Sequence, residues 1–128
     1  MKISLQRLDD GFNMEATDET GHKVLMDSSV ENGGKNNGVR PMQMLMMGLG
    51  GCSAIDVAMI LKKQRQEVTD FRIEIEGERE KDKEPSLWEK AHVIFHLKGN
   101  IDPDKAARAV ELSMNKYCSV AETLRKSG

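Results

Sequence analysis

The sequence has little cysteine and no excess of positive charge, and each of these shortages argues against a class of protein. Two cysteines among 128 residues are too few for the disulfide framework of a small secreted domain. A formal net charge of −2 argues against a nucleic-acid partner, because binding to phosphates requires a basic surface. No apolar stretch near Met1 is long enough for a signal peptide, so we expect a cytoplasmic protein with a single domain, 1–128.

One segment, residues 42–61, is long and apolar enough to be considered as a membrane span, since it contains no Lys, Arg or Glu. Its interior argues against this interpretation. Asp56 would cost about 2.5–3.5 kcal/mol near the centre of a bilayer. The three glycines of the segment do not favour insertion either. A buried helix of a soluble domain is the better interpretation, and we expect no membrane partner.

Alternation of apolar and polar residues predicts antiparallel strands in two parts of the chain. Three short alternating stretches within residues 3–26, separated by turns rich in Asp and Gly, predict a three-stranded meander. Two longer stretches, around residues 71–75 and 91–97, predict a further pair of strands joined by a charged link. A polar, glycine-rich loop of residues 27–40 follows the meander.

Helices are predicted in the middle and at the end of the chain. Pro41 suits the first position of a long helix that is apolar on nearly every side and therefore needs cover all round. Its glycines predict close approach by a second helix or by a partner subunit, because each destabilises a helix by about 1 kcal/mol relative to Ala. Asp102 and Pro103 start another helix, predicted to end near Tyr117, with a short helix continuing through Leu124. The order βββ–α–ββ–αα indicates an α+β fold.

The candidate chemical groups are Cys52, in the motif Gly-Gly-Cys-Ser-Ala-Ile-Asp-Val, and Cys118, in Lys-Tyr-Cys-Ser-Val-Ala. In a reducing cytoplasm a permanent disulfide is disfavoured. Two interpretations of the residues alone stay open. The cysteines either cycle between thiol and disulfide or are inert core residues.

With these two motifs and this element order, the chain resembles the OsmC/Ohr family of osmotically inducible protein C and organic hydroperoxide resistance protein, in its branch of uncharacterised small redox proteins. The resemblance covers nearly the whole chain. It implies an OsmC-like α+β fold in which antiparallel sheets wrap around central helices in an intertwined homodimer. It also implies a site at the interface of the two subunits.

The activity implied by the resemblance is that of a thiol-dependent peroxidase acting on organic hydroperoxides. Cys52 would attack the O–O bond, release an alcohol and become a sulfenic acid, which condenses with Cys118 to a disulfide. An external thiol reductant would then restore both thiols, so no cofactor is expected. Considered without the resemblance, Cys118 is better placed than Cys52 for a helix dipole to stabilise its thiolate. Cys52 lies about three turns inside its helix, beyond the reach of the helix N-terminus.

Two further residues are predicted to act at this site. The resemblance implies an activating arginine and a glutamate just after the proline, but Met42 and Gln43 occupy that place. Arg40 is the nearest loop cation and our candidate for activation of Cys52. Asp56 lies four residues after Cys52, on the same helix face. It would hold an incoming arginine or cap a buried polar contact.

The incomplete arginine–glutamate pair leaves a second function open, a non-catalytic dimeric module that binds an apolar small molecule or senses oxidation. No metal site is expected, because only His92 and His96 show ligand-like spacing, and solvated strand residues are the better interpretation of both. His22 is expected to be a turn residue.

Overall fold

The structure is a computed structural model that describes residues 1–127, and the chain divides into two compact units, Met1–Leu45 and Met46–Gly128. In the first unit, β1 (Ser4–Arg7), β2 (Met14–Thr17) and β3 (Lys23–Met26) form an antiparallel sheet in the order β1-β2-β3. The predicted three-stranded meander is therefore confirmed.

The polar loop after β3 is organised by the buried carboxylate of Asp27. This carboxylate accepts backbone N–H groups from Ser28 at 2.7 Å, Lys35 at 3.3 Å and Asn37 at 3.0 Å. A short 3-10 helix, Val30–Asn32, lies within the loop. Backbone groups from several points along the loop therefore bind one side chain, the carboxylate of Asp27.

Helix α1 (Pro41–Lys63) begins at the predicted proline. Just before it, the backbone N–H of Arg40 donates to Oε1 of Gln43 at 2.9 Å, which is half of a capping box. Lys62 and Lys63 lie in the last turn, where cations complement the helix dipole. Gln43, one of the two residues that stand where the resemblance implies a glutamate, thus caps the helix.

A long hairpin follows, formed by β4 (Glu67–Arg79) and β5 (Trp88–Asn100). The two strands pair antiparallel, with Phe71 opposite Leu97 and Ile75 opposite Val93. Apolar residues therefore alternate along one face of the hairpin, as the sequence predicts. The pairing extends beyond the predicted stretches, to Glu67 opposite Asn100 at one end and Arg79 opposite Trp88 at the other.

The C-terminal part consists of α2 (Pro103–Leu112), a single π turn (Ser113–Tyr117) and α3 (Ser119–Ser127). Asp102 caps α2, because its side chain accepts the N–H of Asp104 at 2.9 Å. The predicted break near Tyr117 and the short helix after it are both confirmed.

Two apolar clusters hold the second unit together. One is centred on fully buried Val57, Leu61 and Ala109, against which Phe71 and Phe95 pack with their rings edge to face at 6.4 Å. The other joins α1 to the C-terminal segment and is built on four buried residues, Met46, Leu49, Cys118 and Ala121. One thiol is therefore part of a core cluster.

The opposite face of α1 is exposed within the described residues 1–127. Its side chains Met47, Ile55 and Met59 are 51%, 63% and 54% exposed. A Cβ built on Gly50 would lie 2.9 Å from Cδ1 of Ile75, whereas one on Gly48 or Gly51 would meet nothing within 4 Å. Within residues 1–127, Gly50 is therefore approached closely, by the strand residue Ile75 rather than by a second helix. Approach of a partner subunit to Gly48 and Gly51 stays a prediction.

By length and composition alone, α1 would be able to cross a membrane, a property that it shares with core helices of soluble proteins. Its buried side chains pack against α2 and the β4–β5 hairpin. This packing is that of a core helix.

Candidate thiol site

Three side chains from α1 and the segment before α3 meet in the second unit. One ligand atom each of Cys52, Asp56 and Cys118 lie within 4.8 Å of one another, and both cysteines are free thiols. The chain thus brings together two sulfurs that are sixty-six positions apart in sequence. A disulfide requires an S–S distance of about 2.05 Å, so bond formation needs only a local approach of the two side chains.

Cys52 is the more accessible of the two thiols. It is half-buried, whereas Cys118 is only 3% exposed. Cys52 is also well inside α1, which begins at Pro41, so the helix N-terminus does not reach it. A peroxide arriving from solvent therefore has better access to Cys52.

Cys118 sits at the junction between the π turn and α3. Its backbone N–H donates to the carbonyl of Ser113 at 2.8 Å, which closes the π turn. Its Sγ accepts the backbone N–H of Ala121 at 3.4 Å, and its carbonyl accepts the N–H of Glu122 at 3.1 Å. Cys118 is therefore the N-cap of α3, with the sulfur itself as the capping atom.

The pKa of Cys118 lies above its ordinary value. Burial is the largest cause, because it disfavours the charged thiolate. The N–H of Ala121 at Sγ acts in the opposite direction, whereas the hydrogen bond with Cys52 and its like charge raise the pKa further. The position at a helix N-terminus, which the sequence singles out, is thus outweighed by desolvation.

Asp56 is held by a serine that the sequence analysis missed. The hydroxyl of Ser113, fully buried at the start of the π turn, donates to Oδ2 of Asp56 at 3.1 Å. The carbonyl oxygen of Ser53 lies 3.4 Å from the same hydroxyl. This is the polar contact considered for Asp56 from its position in sequence. In the sequence, the only indication of this role for Ser113 is a serine within a partly apolar helical stretch.

Within residues 46–127, no Lys, Arg or His nitrogen forms an ion pair with Asp56. Arg40 belongs to the first unit, where its guanidinium donates to the carbonyl of Gly38 and to Oδ1 of Asn36, both at 2.9 Å. Its activation of Cys52 stays a prediction.

The three histidines lie in a turn and on a strand. His22 is in the β2–β3 turn, where its Nδ1 is 2.9 Å from Oδ2 of Asp18. His92 and His96 lie on β5, and Nε2 of His96 is 3.2 Å from Oε1 of Glu74. These positions agree with the predicted roles as turn and strand residues.

The described residues contain a three-stranded meander, a long hairpin and helices, and they bring two free thiols beside a carboxylate. This combination defines a small α+β protein with a two-thiol site. A family model described as OsmC-like protein matches residues 34–128. The chain belongs to this family, as its two cysteine motifs predict.

Known relatives agree with this assignment. The chain is 41% identical to Protein YhfA of Escherichia coli K12 over 119 residues, which cover 92% of this chain and 85% of the relative. A crystal structure of a hypothetical protein from Aquifex aeolicus VF5 has a TM-score of 0.83 and 30% identity, covering 98% of this chain and 87% of that one. The fold is therefore that of OsmC-like proteins.

A more distant neighbour carries a functional description. A crystal structure named an organic hydroperoxide resistance protein OsmC, from Legionella pneumophila, has a TM-score of 0.72 and 17% identity. It covers 97% of this chain and 88% of that one. At this identity the likeness shows a common fold.

Proposed function

We propose that this protein is a thiol-dependent peroxidase that reduces organic hydroperoxides through Cys52 and Cys118. The observation that carries the proposal is the meeting of two free thiols within 4.8 Å across two separate elements. Their position at one cluster favours a redox pair over two inert core cysteines. The description of a structural neighbour as a hydroperoxide resistance protein supports the same chemistry.

Accessibility supports Cys52 as the attacking thiol and Cys118 as the resolving one. The raised pKa of Cys118 favours its protonated form, which is a weak nucleophile toward peroxide. Cys52 is half-buried and is the thiol with the better access. The attack therefore begins at Sγ of Cys52.

The reaction balances with an external thiol reductant. The Cys52 thiolate displaces an alkoxide from the hydroperoxide, the alkoxide takes a proton to leave as an alcohol, and Cys52 becomes a sulfenic acid. Sγ of Cys118 then attacks that sulfur, and water leaves as the disulfide forms. Two electrons from an external dithiol or two monothiols break the disulfide and restore both thiols. No cofactor is needed.

An organic hydroperoxide suits the surroundings of the pair. Apolar side chains from the hairpin and the C-terminal segment pack against the same cluster as the two cysteines: Ile75, Trp88, Val93, Met114, Val120 and Leu124. Such surroundings favour an alkyl or aryl substituent over the small polar hydrogen peroxide molecule. We therefore assign organic hydroperoxides as the substrate class.

The protein is further proposed to act as a homodimer in the cytoplasm. Met47, Ile55 and Met59 form an exposed apolar face on α1, and a second copy of the chain would remove this face from water. The two open glycines, Gly48 and Gly51, would allow close approach of a partner helix. No nucleic-acid or membrane partner is part of this proposal.

A second candidate function is a non-catalytic module that senses oxidation. The absence of an ion-paired cation at Asp56 within residues 46–127, together with the raised pKa of Cys118, favours slow, stoichiometric oxidation. A sensor and an enzyme differ in turnover. Only an enzyme reduces many equivalents of peroxide per chain when reductant is in excess.

The test treats reduced protein with cumene hydroperoxide and counts free thiols in the parent and in Cys52→Ser. The peroxidase account expects the loss of both thiols per chain in the parent and none in the variant. Unchanged thiol counts in both proteins would contradict it. Consumption of many equivalents of peroxide with excess dithiothreitol identifies an enzyme, whereas a single equivalent identifies a sensor.

A further inference from the structure

We infer that the reduced protein binds a zinc ion through Sγ of Cys52, Sγ of Cys118 and a carboxylate oxygen of Asp56. These three ligand atoms lie within 4.8 Å of one another, so small side-chain rotations bring them around one ion. Thiolate and carboxylate ligands are both usual for Zn²⁺, at about 2.3 Å for sulfur and about 2.0–2.2 Å for oxygen.

The spacing in sequence explains why this set is not apparent from motifs. Cys52 and Asp56 are one turn apart on α1, a spacing that places two ligands on one helix face. The third ligand comes from the N-cap of α3 and is brought near only by the tertiary fold. The expectation of no metal rests on the spacing of the two cysteines and three histidines along the chain, and this inference departs from it because the fold brings Cys118 to Cys52 and Asp56.

The surroundings of the three ligands favour a bound cation. The hydroxyl of Ser113 donates to Oδ2 of Asp56, and the N–H of Ala121 donates to Sγ of Cys118. Such hydrogen bonds to ligand atoms orient the ligands and support their charge. Once both thiols lose their protons on binding, two thiolates and a carboxylate carry three negative charges, and no basic side chain within residues 46–127 pairs with the carboxylate. A divalent cation would neutralise most of this negative charge.

Three protein ligands leave the fourth tetrahedral position for water, as in zinc sites that are open to exchange. Each zinc–sulfur bond forms as an S–H bond breaks, so binding releases protons to the buffer. A bound zinc ion takes one lone pair from each sulfur, which lowers the nucleophilicity of both and blocks access to them. Zinc would therefore inhibit the reaction of the two thiols with hydroperoxide, an inference that rests on the proposed peroxidase function.

The test titrates Co²⁺ into fully reduced protein and then displaces it with Zn²⁺. We expect one Co²⁺ per chain, a thiolate-to-cobalt charge-transfer band, and loss of that band when Zn²⁺ is added. Cys52→Ala and Cys118→Ala should lose the band. Far-ultraviolet circular dichroism checks that each variant is folded, and Cys118→Ser provides a second variant at the buried position.

Asp56→Asn tests the carboxylate ligand, with the exposed Asp70→Asn on β4 as the matched control. We expect at least about tenfold weaker binding in Asp56→Asn, comparable to the effect of losing a supporting contact at a metal site, and no change in Asp70→Asn. The absence of a thiolate band in the parent would overturn the inference. Equal affinity in the parent and Asp56→Asn would overturn the assigned ligand set.

The zinc site and the peroxidase function fail separately in these measurements. Zinc binding is followed on reduced protein without peroxide, and peroxide reactivity is followed on protein freed of metal with a chelator. One equivalent of Zn²⁺ should protect both thiols from cumene hydroperoxide. Removal of the Zn²⁺ by the chelator should make both thiols react with the peroxide again. Zinc binding without protection would overturn the inhibitory role.

Discussion

The hydroxyl of Ser113 donates to Oδ2 of Asp56 at 3.1 Å and thereby joins the π turn to the middle of α1. The serine is fully buried, and its backbone carbonyl also accepts the N–H of Cys118. One residue therefore positions both the carboxylate and the N-cap cysteine. The geometry of the thiol site depends on this contact.

Ser113→Ala is expected to destabilise the fold. Without the hydroxyl, Asp56 loses a hydrogen bond that α1 does not replace. This loss lowers the free energy of unfolding by about 1–3 kcal/mol. Urea unfolding of the parent and the variant measures the difference. Ser127→Ala is the control, since Ser127 is exposed and donates only within the last turn of α3. Equal stability of the three proteins would contradict the role of Ser113.

Cys118→Ser is expected to stop the reaction at the sulfenic acid. With no resolving thiol, Cys52 loses its free thiol after cumene hydroperoxide but forms no disulfide within the chain. Labelling with dimedone followed by mass measurement detects the trapped sulfenic acid. If Cys118→Ser is not labelled while Cys52→Ser is, the two roles are the reverse of those proposed.

The sequence predicts most of the fold because its elements carry strong local signals. Pro41 starts α1, Asp102 caps α2, and the alternating residues of β4 and β5 pair as expected. The glycines of α1 predict close approach by a second helix or a partner subunit. Among residues 1–127, Gly50 is approached closely by Ile75 of β4, and Gly48 and Gly51 are left open for a partner.

The site is only partly predictable from sequence. The motifs single out both cysteines, and the resemblance to a known family is what pairs them. The role of Ser113 depends on a π turn, whose hydrogen bond from Cys118 to Ser113 leaves no mark on residue periodicity. Burial of Cys118 likewise arises from tertiary packing, so the direction of its pKa shift could not be inferred from its place at a helix N-terminus.

Ile55→Lys is expected to weaken the proposed homodimer. Ile55 is 63% exposed on α1, and a charge there would have to be buried against the partner copy. Sedimentation velocity of the parent and the variant measures the change in association. Val30→Lys is the matched control, because Val30 is 69% exposed but lies in the short 3-10 helix of the first unit. A parent that sediments as a monomer would contradict the dimer.

Asp27→Asn is expected to lower stability at neutral pH but not at low pH. The N–H of Asn37, with those of Ser28 and Lys35, holds the pKa of Asp27 below its ordinary value. Because the folded-state pKa is the lower one, this stabilisation is present above the unfolded pKa of about 3.9 and is lost as pH falls through the folded value.

Thermal unfolding of the parent and Asp27→Asn from pH 7 to pH 3 checks this dependence. The difference in Tm should be constant near neutrality and shrink below about pH 4, where the unfolded state of the parent begins to bind a proton that the folded state does not yet bind. Asp70→Asn, at an exposed position on β4, should show no such trend. A difference that grows on acidification would contradict the assignment.

The most direct test of the redox pair is peptide mapping of the protein after one equivalent of cumene hydroperoxide. The account predicts a disulfide that links the peptides containing Cys52 and Cys118 of the same chain, with both thiols recovered after reduction. Oxidised protein in which the two cysteines are never linked to each other would contradict it.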